Sequence, residues 1–130
     1  MFEVDRSIAV VRPTQAFYDW YKSLPDFLGE TYAAIRENSH SYLLPRIETK
    51  EPPSTVISDD LAHSIFEWEL ILREIDHQYW PPNRTSIDEL LEWFEIQIVP
   101  LVVDTSEKEL NRHSTTHLNG QQENSGSEYF

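Results

Sequence analysis

The feature that most restricts the fold of this 130-residue chain is a helical stripe of apolar side chains in residues 58–75. A serine at position 58 is a suitable N-cap, and the two aspartates after it stand where the helix dipole favours negative charge. The apolar residues then recur at intervals of four, three, four and three, which is one face of an α-helix: Leu61, Ile65, Trp68, Leu72 and Ile75. Such a helix has to bury its stripe against another layer of structure.

Three apolar runs predict the strands of that second layer: residues 7–13, 40–47 and 95–105. Proline cannot donate a hydrogen bond to a strand ladder. Pro45 therefore indicates an edge position or a strand end, and Pro100 indicates a bulge or an outer position.

Shorter helical patterns lie between these runs. One helix, which stops near Pro25, has a face made of Phe17, Trp20, Tyr21 and Leu24. Thr31 is expected to cap a short helix, and residues 48–58 are expected to form an exposed connection. Ser86 and Glu89 form the S-x-x-E capping box of a last helix.

The predicted order is β-α-(α)-β-α-α-β, which indicates an α+β fold. We expect a small three-stranded, mostly antiparallel sheet, covered on one face by three or four helices. Residues 1–105 are predicted to be a single α+β domain. Residues 106–130 are rich in Ser, Thr, Asn, Gln and Gly, so they are predicted to be a disordered polar tail.

Charge narrows the range of partners. Ten Lys and Arg against 23 Asp and Glu give a net charge of −13, and in residues 59–104 eleven acids face only Arg73 and Arg84. Such a field repels phosphate backbones and anionic membranes, so neither direct nucleic-acid binding nor membrane association is expected. It attracts a basic or amphipathic protein partner. The alternative is that the acidity only keeps a small, aromatic-rich domain soluble.

Several kinds of chemistry lack their sequence signals. The chain has no cysteine for a disulfide, a zinc–thiolate site or a thiol nucleophile. Three glycines, Gly29, Gly120 and Gly126, form neither a phosphate-binding loop nor a nucleophile elbow, and no cofactor is expected. The start of the chain lacks the pattern of a signal peptide, and no apolar run is long enough for a membrane span, so a cytoplasmic location is expected.

Two pairs of residues have the i, i+4 spacing of metal ligands on a helix. They are His63 with Glu67, and His113 with His117. The alternatives are a solvated helix face for the first pair and chance in a polar tail for the second. Neither pair has further ligands at a defined spacing, so no metal site is predicted.

The candidate binding residues are Trp80, Arg84, Arg12, Tyr79 and Trp93. Trp80 follows a helix and precedes two prolines, where a large aromatic side chain is either an anchor for a partner or a plug over the end of the core. The two arginines are expected either to form structural ion pairs or to share a concavity with Trp80. Trp20 and Trp68, which lie on helical stripes, are predicted to be core.

The order of short motifs within residues 7–104 resembles a family of small, acidic, uncharacterised bacterial proteins. The shared features are a strand ending in Arg-Pro, a Phe-x-x-Trp helix, a Tyr-Leu-x-Pro strand, an Ile-Phe-Glu helix, Trp-Pro-x-x-Arg, and a Trp-Phe helix end. The resemblance implies a bacterial cytoplasmic domain but supplies no activity, cofactor or catalytic residue. The mixed segment RIETKEPPS and the polar tail depart from the pattern.

These observations favour a non-enzymatic, acidic protein-interaction module. One form of it is an inhibitor or immunity-type protein that occupies a basic groove. The alternative is a small-ligand-binding protein or a small enzyme with a pocket near Trp80, Arg84 and Arg12.

Overall fold

A computed structural model describes residues 1–48 and 50–115. It has the predicted α+β architecture, with elements in the order β1 (Phe2–Glu3), β2 (Arg6–Pro13), α1 (Gln15–Tyr21), α2 (Tyr32–Glu37), β3 (His40–Pro45), α3 (Pro53–Val56), α4 (Asp59–Leu72), a 3₁₀ turn (His77–Tyr79), α5 (Ile87–Trp93), β4 (Phe94–Val99) and β5 (Val103–Asp104).

The main sheet has the order β3-β2-β4, and both outer strands run antiparallel to β2. The predicted three-stranded sheet is therefore confirmed. The last predicted strand, in contrast, is two strands that serve different sheets. Its first part is β4, and after Pro100 the chain continues as β5, which pairs with β1 in a separate two-stranded sheet.

Strand β2 alternates between two environments. Ser7, Ala9, Val11 and Pro13 are buried, whereas the residues between them are only partly buried. The buried side is the covered face of the sheet, and the other side is its open face. Helix α4 packs on the covered face, because its Glu69 contacts Tyr42, the cross-strand neighbour of Ala9.

The predicted stripe of α4 is only partly confirmed: Ile65 and Ile75 are buried, but the buried face is rotated away from Trp68 and Leu72. The buried residues of this helix are Ala62, Ile65, Phe66, Glu69 and Leu70. Leu72, which was assigned to the stripe, is 39% exposed, and Trp68 is only partly buried. A pattern that counts only apolar residues misses this buried face, because Glu69 lies in the middle of it.

Helix α4 ends in a Schellman motif. The N–H of Ile75 donates to the carbonyl of Leu70, and the N–H of Glu74 donates to that of Ile71. Glu74 has a φ of 58°, in the left-handed region where this position of the motif favours glycine. The chain consequently turns back sharply, so that Ile75 is buried beyond the helix end.

The predicted helix caps are confirmed. The side chains of Thr31 and Ser58 accept hydrogen bonds from the first turns of α2 and α4, and Ser86 with Glu89 forms the complete capping box of α5. The connection 48–58 differs from expectation, because it contains the short helix α3 and then Ile57, which is buried in the core.

The end of the described chain is exposed. Residues 106–115 form no helix or strand, and residues 116–130 of the predicted tail lie outside the described residues. None of the described helices combines the length and the apolar character that a membrane span requires.

Candidate functional site

Arg12 lies on the open face of the sheet, between its two covered-face neighbours on β2. Its Nη1 donates to Oε1 of Gln97 at 3.3 Å, and Glu95 stands opposite it on β4. Glu95 also accepts a hydrogen bond from Arg36, which lowers the pKa of that carboxyl. Arg12 is thus part of an exposed polar patch at the end of the sheet.

Arg84 lies in the helix layer on the other side. Its Nε donates to Oε2 of Glu67 in α4 at 2.9 Å, and its Nη1 donates to the Pro81 carbonyl at 2.6 Å. The guanidinium carbon is 5.3 Å from the ring centre of Trp80. The structure therefore brings Trp80 and Arg84 together, as their nearness in sequence suggests. It does not bring Arg12 to them, because the sheet lies between.

Trp80 is held by contacts within the chain. Its Nε1 donates to the carbonyl of Ile75 at 3.0 Å, and its ring centre is 4.1 Å from that of His77. It is partly buried and packs against the hydrophobic core. These contacts hold the Trp80 side chain in place against the core.

Trp93 belongs to an aromatic cluster that is formed by side chains of three helices. Its ring centre lies 4.8 Å from that of Trp20, 5.9 Å from that of Phe17 and 5.8 Å from that of Phe66. Its carbonyl accepts hydrogen bonds from both the N–H and the hydroxyl of Thr14, which ties the end of α5 to the start of α1. These contacts join α1, α4 and α5.

Tyr79 lines a cavity of about 330 Å³, which the sequence does not predict. We call it the acidic cavity. It lies between the segment that follows α1 and the turn that ends α4. Its lining residues are Tyr21, Leu24, Asp26, Phe27, Leu28, Glu30, Ile35, Asn38, Leu72, Arg73, Glu74, Ile75, Asp76 and Tyr79.

Four carboxylates give the acidic cavity its charge: those of Asp26, Glu30, Glu74 and Asp76. Oε1 of Glu30 is buried and has no hydrogen-bond partner among the described residues. Burial, and next the negative charge of Glu30, raise the pKa of the Tyr21 phenol, so this side chain stays neutral, and a hydrogen bond to the Glu30 carboxylate adds to the shift.

The single arginine of the cavity wall is already paired. The side chain of Arg73 is 5% exposed, and its Nη2 lies 3.0 Å from Oε1 of Glu69, whose side chain is fully buried. The same nitrogen donates to the carbonyl of Asn38, and the guanidinium lies over the ring of Phe17. Because Glu69 lies outside the cavity lining and neutralises Arg73, the four cavity carboxylates face little opposing charge.

Glu69 is the centre of a buried polar network. Besides Arg73, it contacts Nδ1 of His40 at 2.9 Å and accepts a hydrogen bond from the Tyr42 hydroxyl at 2.5 Å. Burial, and next the charge of Glu69, raise the pKa of Tyr42 far above its usual value. Both carboxylate oxygens are satisfied, so the network joins β3 to α4 and fixes Arg73 in the wall of the cavity.

Sequence reasoning missed this network and the cavity beside it. The i, i+4 spacing of Glu69 and Arg73 was available as a signal, since such pairs attract each other on a helix. Their contact with His40 and Tyr42 needs the packing of α4 on the sheet, which no local pattern shows.

The His63–Glu67 pair forms as a contact between side chains. Nε2 of His63 lies 3.3 Å from Oε2 of Glu67, and Nδ1 lies 2.8 Å from the carbonyl of Arg84. Within residues 1–48 and 50–115, no three His, Cys, Asp or Glu side chains converge as a metal site would require. His117 lies outside the described residues.

Comparison with known proteins gives no identification. No protein-family model matches the chain, and no curated protein and no solved structure matches it. This agrees with the expectation that no known activity can be carried over to this chain.

Proposed function

We propose that this protein is a non-enzymatic interaction module that binds a basic protein through the acidic surface of its helix layer. One observation carries the proposal. Both arginines of residues 59–104 are used in internal ion pairs, Arg84 with Glu67 and Arg73 with Glu69. Glu95 pairs with Arg36, and Asp59 and Glu89 accept backbone hydrogen bonds. The other acids of this segment form no ion pair among the described residues, so their charge is left to act on a partner.

The free acids share one layer. They are exposed residues of α4, of α5 and of the turn after α4, and they include Asp60, Glu74, Asp76, Asp88 and Glu92. An extended field of one sign steers an oppositely charged partner and speeds its association. An inhibitor or immunity-type protein that occupies a nucleic-acid-binding groove would have such a surface.

The proposal is tested by recovering a partner and measuring its charge dependence. The full chain is used to capture proteins from a bacterial extract, and the affinity of each purified candidate is measured at low and at physiological salt. We expect a basic partner whose affinity falls at least several-fold as screening increases. An affinity that is unchanged over this range would contradict the proposal.

A matched pair of variants locates the surface. D88N/E92Q removes two charges from α5, and D5N/E48Q removes two exposed charges near the start of β2 and the end of β3. We expect the first variant to weaken the binding several-fold and the second to change it little. Equal effects would mean that net charge, rather than the helix layer, controls the interaction.

A small-ligand-binding role is the second candidate, and the acidic cavity is the observation that favours it. Its volume of about 330 Å³ is at the lower end of the roughly 300–1,000 Å³ typical of ligand pockets. A melting temperature raised by a small amine, with no protein partner present, would support this role. An unchanged melting temperature across a panel of small amines would oppose it.

A further inference from the structure

The acidic cavity has an apolar rim as well as a charged wall. Leu28 is 88% exposed and Leu72 is 39% exposed, and both line the cavity. Exposed apolar side chains that flank a depression are typical of contact sites between proteins. Leu28 precedes Gly29, whose φ of 91° is a backbone conformation that favours glycine.

The wall of the cavity is negatively charged and contains a buried hydrogen-bond acceptor, so it suits a donor that carries positive charge. Oε1 of Glu30 is buried without a partner, and a buried acceptor in this state gains from any donor that reaches it. The nearest guanidinium in the wall, that of Arg73, is already bonded to Glu69 and Asn38. The Tyr21 phenol is hydrogen-bonded to the Glu30 carboxylate but is neutral, so a positively charged donor for Oε1 would come from another molecule.

The backbone of Glu74 supports a role for its carboxylate. A glutamate occupies the left-handed position at the end of α4, where glycine would relieve the strain. Glu74 nevertheless lines the cavity together with Asp76, which lies two residues further on. The sharp turn thus places two acids at the cavity.

We propose that the acidic cavity receives one arginine side chain of the basic partner, with its guanidinium bound by the carboxylates of Glu30 and Glu74. This inference rests on the proposed function and names its point of contact. The cavity has room for one side chain and is small for a larger ligand.

Arginine fits this cavity better than lysine. A guanidinium presents five donors in a plane, pairs with carboxylates in two places at once and stacks on aromatic rings. Tyr21, Phe27 and Tyr79 supply such rings in the cavity wall, and the leucines of the rim can cover the aliphatic part of the side chain.

The test uses blocked amino acids as probes on the full, isotope-labelled chain, followed by NMR. Acetyl-arginine amide is compared with acetyl-lysine amide, with neutral acetyl-citrulline amide and with putrescine, each at roughly millimolar concentration, since so small a ligand binds weakly. We expect saturable shifts for the arginine probe at the cavity lining, a several-fold weaker response to lysine, and none to citrulline. Equal binding of citrulline, or shifts spread over the whole acidic surface, would overturn the proposal. Tighter binding of putrescine would overturn it in favour of a small amine.

Two variants and a control complete the test. E30Q keeps the shape of the side chain and removes its charge, and E74G removes a carboxylate from a position that glycine suits. We expect each to weaken the arginine probe at least fivefold, whereas E48Q, an equal change at an exposed site outside the cavity, leaves it unchanged. An E48Q effect as large as that of E30Q would contradict the proposal. The spectrum of each variant shows whether it is folded.

The same variants separate this inference from the proposed function. If a basic partner binds with strong salt dependence and E30Q does not change its affinity, the interaction module stands and the arginine site is wrong. If the arginine probe binds and depends on Glu30 but the affinity of the recovered partner does not change with salt, the cavity binds arginine and the proposed interaction module is wrong.

Discussion

At the scale of single residues, the most consequential side chain is Glu69, a carboxylate with no exposed surface. A charge is kept in such a place only when its partners replace water. Here Arg73, His40 and Tyr42 do so together. The stability of the fold and the position of the cavity wall thus depend on one network.

Removing Glu69 is expected to be severely destabilising. E69A leaves Arg73, whose side chain is only 5% exposed, as an unpaired buried charge, and loss of one partner from such a pair costs about 3–5 kcal/mol. Equilibrium urea unfolding, followed by tryptophan fluorescence, measures the loss.

Two companion variants make this prediction specific. The Glu67–Arg84 pair uses the same helix but is partly exposed, so E67A should cost only about 1 kcal/mol. E69M/R73M replaces both charges with apolar side chains and should be less destabilising than E69A. A double variant that is less stable than E69A would contradict the account of Arg73 as a stranded charge.

Tyr42 gives the network a dependence on alkaline pH. Its folded-state pKa is raised by burial and by Glu69, whereas in the unfolded chain a tyrosine ionises near pH 10. A group with a raised folded pKa contributes stability that is complete below about pH 10 and declines as the pH rises above it.

We therefore expect the unfolding free energy to fall above about pH 10 and to fall less steeply in Y42F. One tyrosine contributes at most about 1.4 kcal/mol per pH unit to this slope. Tyr21, whose pKa is also raised, contributes to the slope that remains in Y42F. Urea unfolding at several pH values between 9 and about 11 measures both slopes, and identical slopes would count against the role of Tyr42.

At the scale of elements, Ser7 joins β2 to the segments that follow the two outer strands. It is fully buried, its Oγ donates to the Pro100 carbonyl at 3.1 Å, and it accepts from the N–H of Ile47 at 2.9 Å. The bond to Pro100 lies at the break between β4 and β5. One hydroxyl thus helps to set where both outer strands end.

Replacing this serine tests its role. S7A leaves the N–H of Ile47 and the carbonyl of Pro100 without this partner, which should cost about 1–3 kcal/mol. The amide of Ile47 should also exchange its hydrogen faster. S41A is the control, because Ser41 is exposed on β3 of the same sheet, and it should change stability by less than about 0.5 kcal/mol. Comparable losses in the two variants would show that the buried hydroxyl has no special role.

Much of the element structure could be predicted because its causes are local. The caps at Thr31, Ser58 and Ser86 depend on residues at most three positions away, and strand β2 shows its character by its own composition. The rotation of α4 could not be predicted in this way. Its buried face includes Glu69, whose burial depends on partners that include His40 and Tyr42 of β3.

The candidate site shows the same limit. Trp80 and Arg84 are four residues apart in sequence and are in contact. The hypothesis that Arg12 shares a concavity with them has no local basis in the sequence, and Arg12 lies on the other face of the sheet. The acidic cavity combines residues 21–38 with residues 72–79, and only tertiary packing brings these two segments together. Tyr79 is a candidate binding residue because it is aromatic, but its place in the cavity wall follows only from the tertiary structure.

At the scale of the whole molecule, a net charge of −13 on 130 residues acts on folding as well as on binding. Like charges repel most strongly in the compact state, so the charge that steers a partner also lowers the stability of the folded state. Salt screens both effects, with a Debye length of about 10 Å at 0.1 M. The two effects have opposite signs, which allows them to be distinguished in one experiment.

We expect added sodium chloride to raise the melting temperature of the free protein while it weakens the binding of the basic partner. In D88N/E92Q, which carries two fewer charges on α5, both responses should be smaller, because less repulsion and less attraction remain to be screened. Thermal unfolding and binding are measured over the same series of salt concentrations, and sodium sulfate at matched ionic strength controls for specific ion effects. A melting temperature that falls with salt would mean that the internal ion pairs, led by Arg73–Glu69 and Arg84–Glu67, outweigh the repulsion among the exposed acids. The net charge would then not be the main electrostatic influence on the stability of the fold.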